Sequence, residues 1–454
     1  MNKVMETARI DEFFAEIVAH EEAGRLTEAL DLAERVAQAA PQMPQAHNMA
    51  GLQAFHKGDY AKALRYLEKA MALAPALPAF PRNIGLVHHA LDQLDEALAM
   101  ARHALTLAPE EASLYFNLAL ILYDSLALEE GLKVINQGLA LAPDYAEAHF
   151  LKAELQLLAG RLSKGWESYE YRFMLDQGRS MLPETDRPQW NGDKLGAGRL
   201  LLVADQGFGD CIQFARYIPW VARRAPKPVL AASEELMPLL RQVKGIGRMV
   251  RRWDEVGDYD AYMPLSGLPR LAGTTLSSIP ASCPYLSADP RKVGLWRKRL
   301  EELVPAGLKR IGLVWAGRPT HRKDKKRSVE LARFAPLLAR DDIAVISLQK
   351  GERICDIGMN FSKAPLVNLG PVINDFTDTL AILQCLDRLV SVDTSVAHLA
   401  GASGVSTSLL LPYAPDWRWL LNRNESPWYP SLRLFRQQRP GAWDDVIAQV
   451  SASF

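Results

Sequence analysis

HALTLAP, residues 103–109, is one of three near-copies of a short stretch: AMALAP ends at Pro75 and QGLALAP at Pro143. Together with Pro41, these prolines stand 34 residues apart. Counting back along the copies, small residues recur in phase at Ala29, Ala63, Ala97, Gly131 and Gly165, and glycines at Gly24, Gly58 and Gly160. A period of that length means a supersecondary unit whose neighbours bury one another's apolar faces. Small residues let two helices cross closely within a unit. The proline, which has no N–H and clashes with the preceding turn, ends the second helix.

The period and its phase resemble the tetratricopeptide repeat (TPR). Four full units, 10–43, 44–77, 78–111 and 112–145, and a fifth, variant unit ending near Arg172 predict an α-solenoid over residues 1–175. Such an array has a concave face suited to an extended peptide or a partner helix. It could equally serve only to pack against the rest of the chain or to dimerise.

Past Phe173 the helical period is lost and proline, glycine and charge increase, which reads as a linker over 176–197. Short β-branched or apolar runs then alternate with amphipathic stretches. They fall at 199–204, 228–232, 261–264, 310–315, 343–348, 366–369, 388–392 and 407–411. Strand–helix alternation predicts parallel sheets covered by helices on both faces, with ligands at the carboxyl ends of the strands. A break is expected at 285–307, where Pro284, Pro290 and Pro305 surround a charged helical stretch. This gives two Rossmann-like lobes, 198–290 and 306–454, the second closed by a helix within 440–454.

Composition narrows the class. The 454 residues are 48% hydrophobic and 23% charged, with no net charge. Residues 1–175 hold 15 Lys/Arg against 24 Asp/Glu, so the remainder is as basic as the first part is acidic. A basic second part suits an anionic ligand such as a nucleotide diphosphate, but it lacks the density of a nucleic-acid-binding stripe. No apolar run approaches the roughly 18 residues of a membrane span. The start of the chain has no signal-peptide pattern, and Cys211, Cys283, Cys355 and Cys385 have neither CxxC nor zinc-ligand spacing. A cytoplasmic location with reduced thiols and no metal is expected.

Three motifs carry candidate chemistry. In LLLVADQGFGDCIQFARYIPWV (200–221) a buried strand runs into a glycine turn and a helix. Gly207 and Gly209 let backbone amides approach a ligand there, and a helix amino terminus favours negative charge. The same turn could bind S-adenosylmethionine in a methyltransferase, with Glu234 on the ribose, or could be only a tight turn. In RIGLVWAGRPTHRKDKKRS (310–328) a strand ends in a loop bearing Arg318, His321, Arg322, Lys323, Lys325, Lys326 and Arg327, a place for a diphosphate. A solvated charge run is the plainer reading. In RLVSVDTSVAHLAGASG (388–404) a strand delivers Asp393, Thr394 and Ser395 to a helix start near His398. The alternatives are a plain N-cap and a buried structural histidine.

These stretches, with GWESYEYR (165–172), LQKG (348–351), DFTDTLAIL (375–383), PDWRW (415–419) and SPWYPSLRLFRQ (426–437), resemble the bacterial TPR-containing glycosyltransferases. That family is related to the heptosyltransferases of glycosyltransferase family 9, and shares a GT-B plus TPR plan with the protein O-GlcNAc transferases. The resemblance implies an α-solenoid followed by a GT-B-like pair of Rossmann-type α/β lobes, with the acceptor on the first lobe and a nucleotide-sugar donor on the second. It implies Asp210 as general base, with Lys326 and Arg327 on the donor diphosphate. Asp393, Thr394, Ser395 and His398 would frame the phosphates, and Gln349 would border the nucleotide. His321 is the second candidate base. The chain departs from the family pattern at Asp205, at Arg318 and at Ser406-Thr407-Ser408.

The implied reaction is metal-independent transfer of a sugar, with inversion, to an acceptor that is a protein held by the repeats. Two other readings stand beside it: a catalytically silent TPR interaction scaffold, and a methyltransferase.

Overall fold

The computed structural model describes residues 2–280, 282–359 and 364–454, and the chain divides into two compact units, Met1–Lys152 and Ala153–Phe454. The first unit is built of helix pairs: α1 (Asn2–Glu22) and α2 (Leu26–Ala39), α3 (Pro44–His56) and α4 (Tyr60–Leu73), α5 (Ala79–Ala90) and α6 (Leu94–Leu107), α7 (Ala112–Asp124) and α8 (Leu128–Leu141). Each second helix stops two residues before its proline. The intervening residue, Ala40, Ala74, Ala108 or Ala142, leaves the helical region with ψ between 64° and 84°. The proline ring disfavours helical backbone in the residue before it, and that sets the length of the unit.

The phase-locked Ala29, Ala63 and Ala97 are fully buried where helices meet. The turn inside each pair is left-handed at Gly24, Gly58 and Gly160. At the same repeat position the third and fourth units place Asp92 (φ 56°) and Leu126 (φ 61°). A side chain there costs roughly 1–2 kcal/mol, and the turns are closed by backbone bonds from Gln93 N–H to His88 O and from Ala127 N–H to Leu122 O (both 2.9 Å). First helices of successive units are also joined by polar contacts: Glu21 with Gln53 and His56 (both 2.7 Å), Asn48 with Asn83 (2.8 Å) and His89 with Asp124 (2.8 Å).

The helical pattern continues past the first unit in α9 (Ala146–Leu158) and α10 (Leu162–Tyr169). Its extent was expected to define a solenoid to residue 175, yet residues 153–175 pack with the α/β part. The reason is aromatic. Trp166 meets Trp417 and Trp428 edge-on with ring centroids 5.3 and 6.4 Å apart, and its indole N–H donates to Thr274 O (2.9 Å). The expected linker is likewise built in. Gln189 forms a parallel bridge to Tyr262, and buried Trp190 donates its backbone N–H to Tyr262 O (2.8 Å).

The second unit holds two parallel sheets. One contains β1 (Leu200–Val203), β2 (Val229–Ala231), β3 (Arg248–Val250) and β4 (Ala261–Pro264) in the order β3-β2-β1-β4. The other contains β5 (Lys309–Val314), β6 (Ile343–Ser347), β7 (Leu366–Asn368), β8 (Arg388–Val392), β9 (Thr407–Leu411) and β10 (Leu432–Arg436) in the order β10-β9-β8-β5-β6-β7. Read from β7, the second sheet is doubly wound in the nucleotide-fold order, and its direction reverses between β5 and β8.

No apolar run in the sequence marks β3 or β10. Both are edge strands with exposed cationic residues, Arg248 and Arg433, so neither shows the unbroken apolar run of a central strand. A core of Ile311, Leu313, Trp315, Val345, Val390 and Leu410 is closed by the helix Trp443–Ser451 through Val446, Ile447 and Val450. Among the described residues no helix is long and apolar enough to cross a membrane. The four cysteines are free thiols.

Candidate functional site

Three strand ends converge. After β1 the chain turns through Gln206, a non-glycine residue in left-handed backbone (φ 69°), into the helix Phe208–Phe214. Gly207 N–H donates to Asp210 Oδ2 (3.0 Å), which reaches back over the first turn as a cap. Asp205 is buried under this turn. It accepts from Ser266 N–H (3.1 Å) and from the Ser266 hydroxyl. Burial raises its pKa, and the Arg172 charge opposes the rise.

The helix Phe208–Phe214 lies against the helix Ser395–Ala402 that follows β8. The closeness is made possible by Gly209, where a Cβ would stand 2.7 Å from His398 Cδ2. His398 cannot retreat. It is buried, its Nδ1 is 2.9 Å from Tyr429 O–H, and its ring packs on Trp419 with centroids 5.3 Å apart. Burial, with Arg418 nearby, lowers its pKa to about 3, so it is neutral at physiological pH. Gly209→Ala is therefore expected to part the two helices at a cost of about 1–3 kcal/mol. Chemical unfolding followed by tryptophan fluorescence measures it; all ten tryptophans lie at Trp166 or beyond, in the second unit.

The second strand end is that of β8. Asp393 follows it, and Thr394 stands at the start of the helix Ser395–Ala402 in extended backbone, with no side chain capping the helix. The Ala397 and His398 amides donate to Thr394 O (3.0 and 3.3 Å), so it is the Ser395 and Val396 amides ahead of them that a helix start can offer to an anion. The pKa of Asp393 is pushed up to about 6, by burial first and then by the Asp416 carboxylate, against the pull of Arg327.

At the end of β5 the backbone passes Gly317, whose N–H donates to Ser328 Oγ (2.9 Å). A Cβ on Gly317 would lie 2.5 Å from both Arg327 Nη2 and Asp324 Oδ1, so the Arg327–Asp324 pair (3.3 Å) sits directly against the strand exit. The basic loop is tied down further on by Arg322 and Lys323, which reach the buried Glu154 of α9 at 3.3 and 3.7 Å. Lys326 is half-buried in the short helix Asp324–Arg327. His321 accepts from Lys323 N–H at Nδ1 (3.2 Å), and partial burial and then Arg327 lower its pKa.

Of the residues expected here, Gly207, Gly209, Asp210, Arg327, Asp393, Thr394, Ser395 and His398 gather at these strand ends. Gln349 has a different part. Its Oε1 accepts from the N–H groups of Trp315 and Ala316 (3.1 and 3.0 Å), and its Nε2 donates to Ala316 O and Lys350 O (3.1 and 2.9 Å). The buried amide thereby shapes the β5 exit.

Arg418, which the motifs did not single out, is the residue that ties the site together. It is buried, lies over the Trp417 ring at 4.1 Å, and donates to Asp210 Oδ1, to Asp416 Oδ1 (2.9 Å) and to Gln213 Oε1 (2.7 Å). The signal available in the sequence was PDWRW itself, an Asp and an Arg set between apolar aromatics. Charges in such a setting need partners. Among the described residues no group of three or more His, Cys, Asp or Glu could hold a metal ion. A cavity of about 570 Å³ opens at the other end of α10, lined by Arg161, Lys164, Thr275 and Ser277 among others, and shares no residue with the three strand ends.

Fold and site together define a chain with tetratricopeptide repeats ahead of a two-sheet parallel α/β unit. Tetratricopeptide-repeat family models match residues 44–77 and 83–111. Over 335 residues the chain is 27% identical to Protein FlbA of Caulobacter vibrioides, covering 67% of this chain and 54% of FlbA; it spans about half the length of that relative. Among solved structures it is similar to TTC0263, a thermophilic TPR protein of Thermus thermophilus (23% identity, TM-score 0.34, 37% of this chain and 91% of that one). It is also similar to MamA from Desulfovibrio magneticus RS-1 (19%, TM-score 0.31, 37% and 94%) and to YrrB, described as a TPR protein with an unusual peptide-binding site (19%, TM-score 0.30, 37% and 91%).

Proposed function

We propose that the second unit transfers a sugar from a nucleotide-sugar donor to an acceptor, and that the repeats hold a protein acceptor. The observation that carries this reading is the switch point between β5 and β8. An uncapped helix start and Arg327 meet there, and the carboxylate of Asp210 is delivered to the same place by the other parallel sheet. In open α/β sheets this crevice is where ligands bind. Two facing nucleotide-type sheets support a GT-B arrangement, with the donor on the β5–β10 side and the acceptor on the β1–β4 side.

In the reaction, the acceptor O–H or N–H attacks the anomeric carbon, the bond to the diphosphate breaks, and Asp210 takes the acceptor proton. Negative charge grows on the departing diphosphate. In this reading the amides that open the helix at Ser395, with Arg327 and Lys326, stabilise it.

A second reading, a silent interaction scaffold, draws on two features. Both oxygens of Asp210 are engaged, and Asp393 and Asp416 bring two carboxylates to the place assigned to the diphosphate. A thermal-shift panel of UDP, GDP, ADP, CMP and S-adenosylmethionine separates the readings, because a ligand that binds only the native state raises the melting temperature. A shift with one nucleotide that disappears in Lys326→Ala/Arg327→Ala is the result expected. No shift with any nucleotide selects the scaffold, and a shift with S-adenosylmethionine alone selects a methyltransferase.

A further inference from the structure

We propose that Tyr169 and Arg172, where the helical repeat pattern ends, are positioning residues of the site, setting the conformation of the turn that carries Asp210. The inference rests on the site assignment above, but its test reads the turn itself.

The turn 204–210 contains two arrangements that do not hold themselves. Asp205 is a carboxylate almost wholly removed from water, and Gln206 occupies left-handed backbone without being glycine. Buried charge needs directed partners, and left-handed backbone in a residue with a side chain persists only where its surroundings over-determine it. Both needs are met from one segment. Tyr169, itself buried, shares a hydrogen bond of 3.2 Å between its hydroxyl and the Gln206 side-chain amide. Arg172, also buried, donates from Nη2 to Ser266 Oγ (2.5 Å), and the Ser266 hydroxyl in turn donates to Asp205.

Arg172 is fixed at its own end. It donates to Tyr169 O (2.6 Å) and Glu170 Oε1 (2.9 Å), with its guanidinium 4.3 Å from the Tyr169 ring centre and 3.8 Å from that of Phe173. The same segment supports the other side of Asp210. Trp166 and Tyr169 pack edge-on against Trp417, and Trp417 is the ring beneath Arg418. Asp205, Gln206 and Arg418 thus take their places from residues 166–172, and Asp210 is suspended between them.

Native-state hydrogen exchange of the full chain tests this, comparing wild type with Tyr169→Phe, Ser266→Ala and Arg172→Lys at a temperature well below unfolding. Amides of 204–212 should exchange about tenfold faster in Tyr169→Phe and Ser266→Ala through local opening. Peptides from β5, β6 and β8 should be unchanged. Arg172→Lys, which keeps the charge but not the fork, should fall between. If a nucleotide is found by the thermal-shift panel, Tyr169→Phe should keep its affinity within about twofold, since the diphosphate groups lie on the other sheet. Unaltered exchange at 204–212 in all three variants would overturn the proposal. So would a uniform rise across the second unit, which would make the segment a packing element only. Because the exchange pattern needs no nucleotide, an empty panel would sink the transferase reading while leaving this inference to its own result.

Discussion

Asp210→Asn is expected to lower turnover of the donor about 10²–10⁴-fold, the usual worth of a general base, and to leave donor binding nearly unchanged. Asparagine keeps the shape of the side chain and can still cap Gly207 through its carbonyl oxygen. Its NH2 then faces Arg418, which loses the Asp210 oxygen but keeps Asp416 and Gln213 as partners, so the fold should lose about 1.5–2 kcal/mol. Steady-state kinetics with the nucleotide-sugar whose nucleotide gives the thermal shift measures the effect. A fall confined to kcat supports the role assigned to Asp210, whereas a rise in KM at constant kcat assigns it to binding. Retention of full kcat would remove Asp210 from the chemistry and leave His321 as the base to examine.

Arg418→Met is expected to produce the largest loss of stability in the second unit. Methionine matches the apolar stem but strands Asp416 and Asp210 beside Trp417, and breaking a buried ion pair from one side costs about 3–5 kcal/mol. Both carboxylates keep some exposure (side chains 32% and 24%), so a value of about 3 kcal/mol is expected. Denaturant unfolding followed by tryptophan fluorescence gives the number. The pH dependence is a second check. Burial raises the pKa of Asp416, but Arg418 outweighs it and the net shift is downward. A carboxylate whose folded pKa lies below its unfolded value contributes stability that is present above the unfolded pKa and lost as pH falls through the folded one. The gap between wild type and variant should therefore be widest near neutrality and narrow in acid. An undiminished gap in acid would mean that packing on Trp417, and not charge, accounts for the loss.

What could be read in the chain beforehand follows from which physical signals are local. The 34-residue phase was visible because proline and small residues act on the helix that contains them, and the helix ends before Pro41, Pro75, Pro109 and Pro143 follow from that alone. The central strands were visible because burial on both faces makes them uniformly apolar. Edge strands β3 and β10 carry arginines to solvent and gave no such run. At the site, DQGFGD and DTSVAH stood out because they put glycine or hydroxyl residues at a strand exit, where ligands of parallel sheets bind. Arg418 meets Asp210 across 208 residues, a contact created by the fold and by no local pattern. Gln349 shows the converse. A polar residue at the end of a central strand reads alike whether it faces a ligand or closes on its own backbone, and here the β5 exit claims all of it.

The placement of α10 bears on how such a chain could be cut, fused or recombined. A boundary drawn by repeat counting, after residue 175, would discard Trp166, Tyr169 and Arg172 and leave Thr274, Ser266 and Trp417 facing water. The second compact unit instead begins at Ala153, within α9, and carries the tail of one repeat as its own. Exchange of repeat arrays between relatives would have to splice upstream of that point, as at the turn 142–145 between α8 and α9, and in a way that preserves the 34-residue phase.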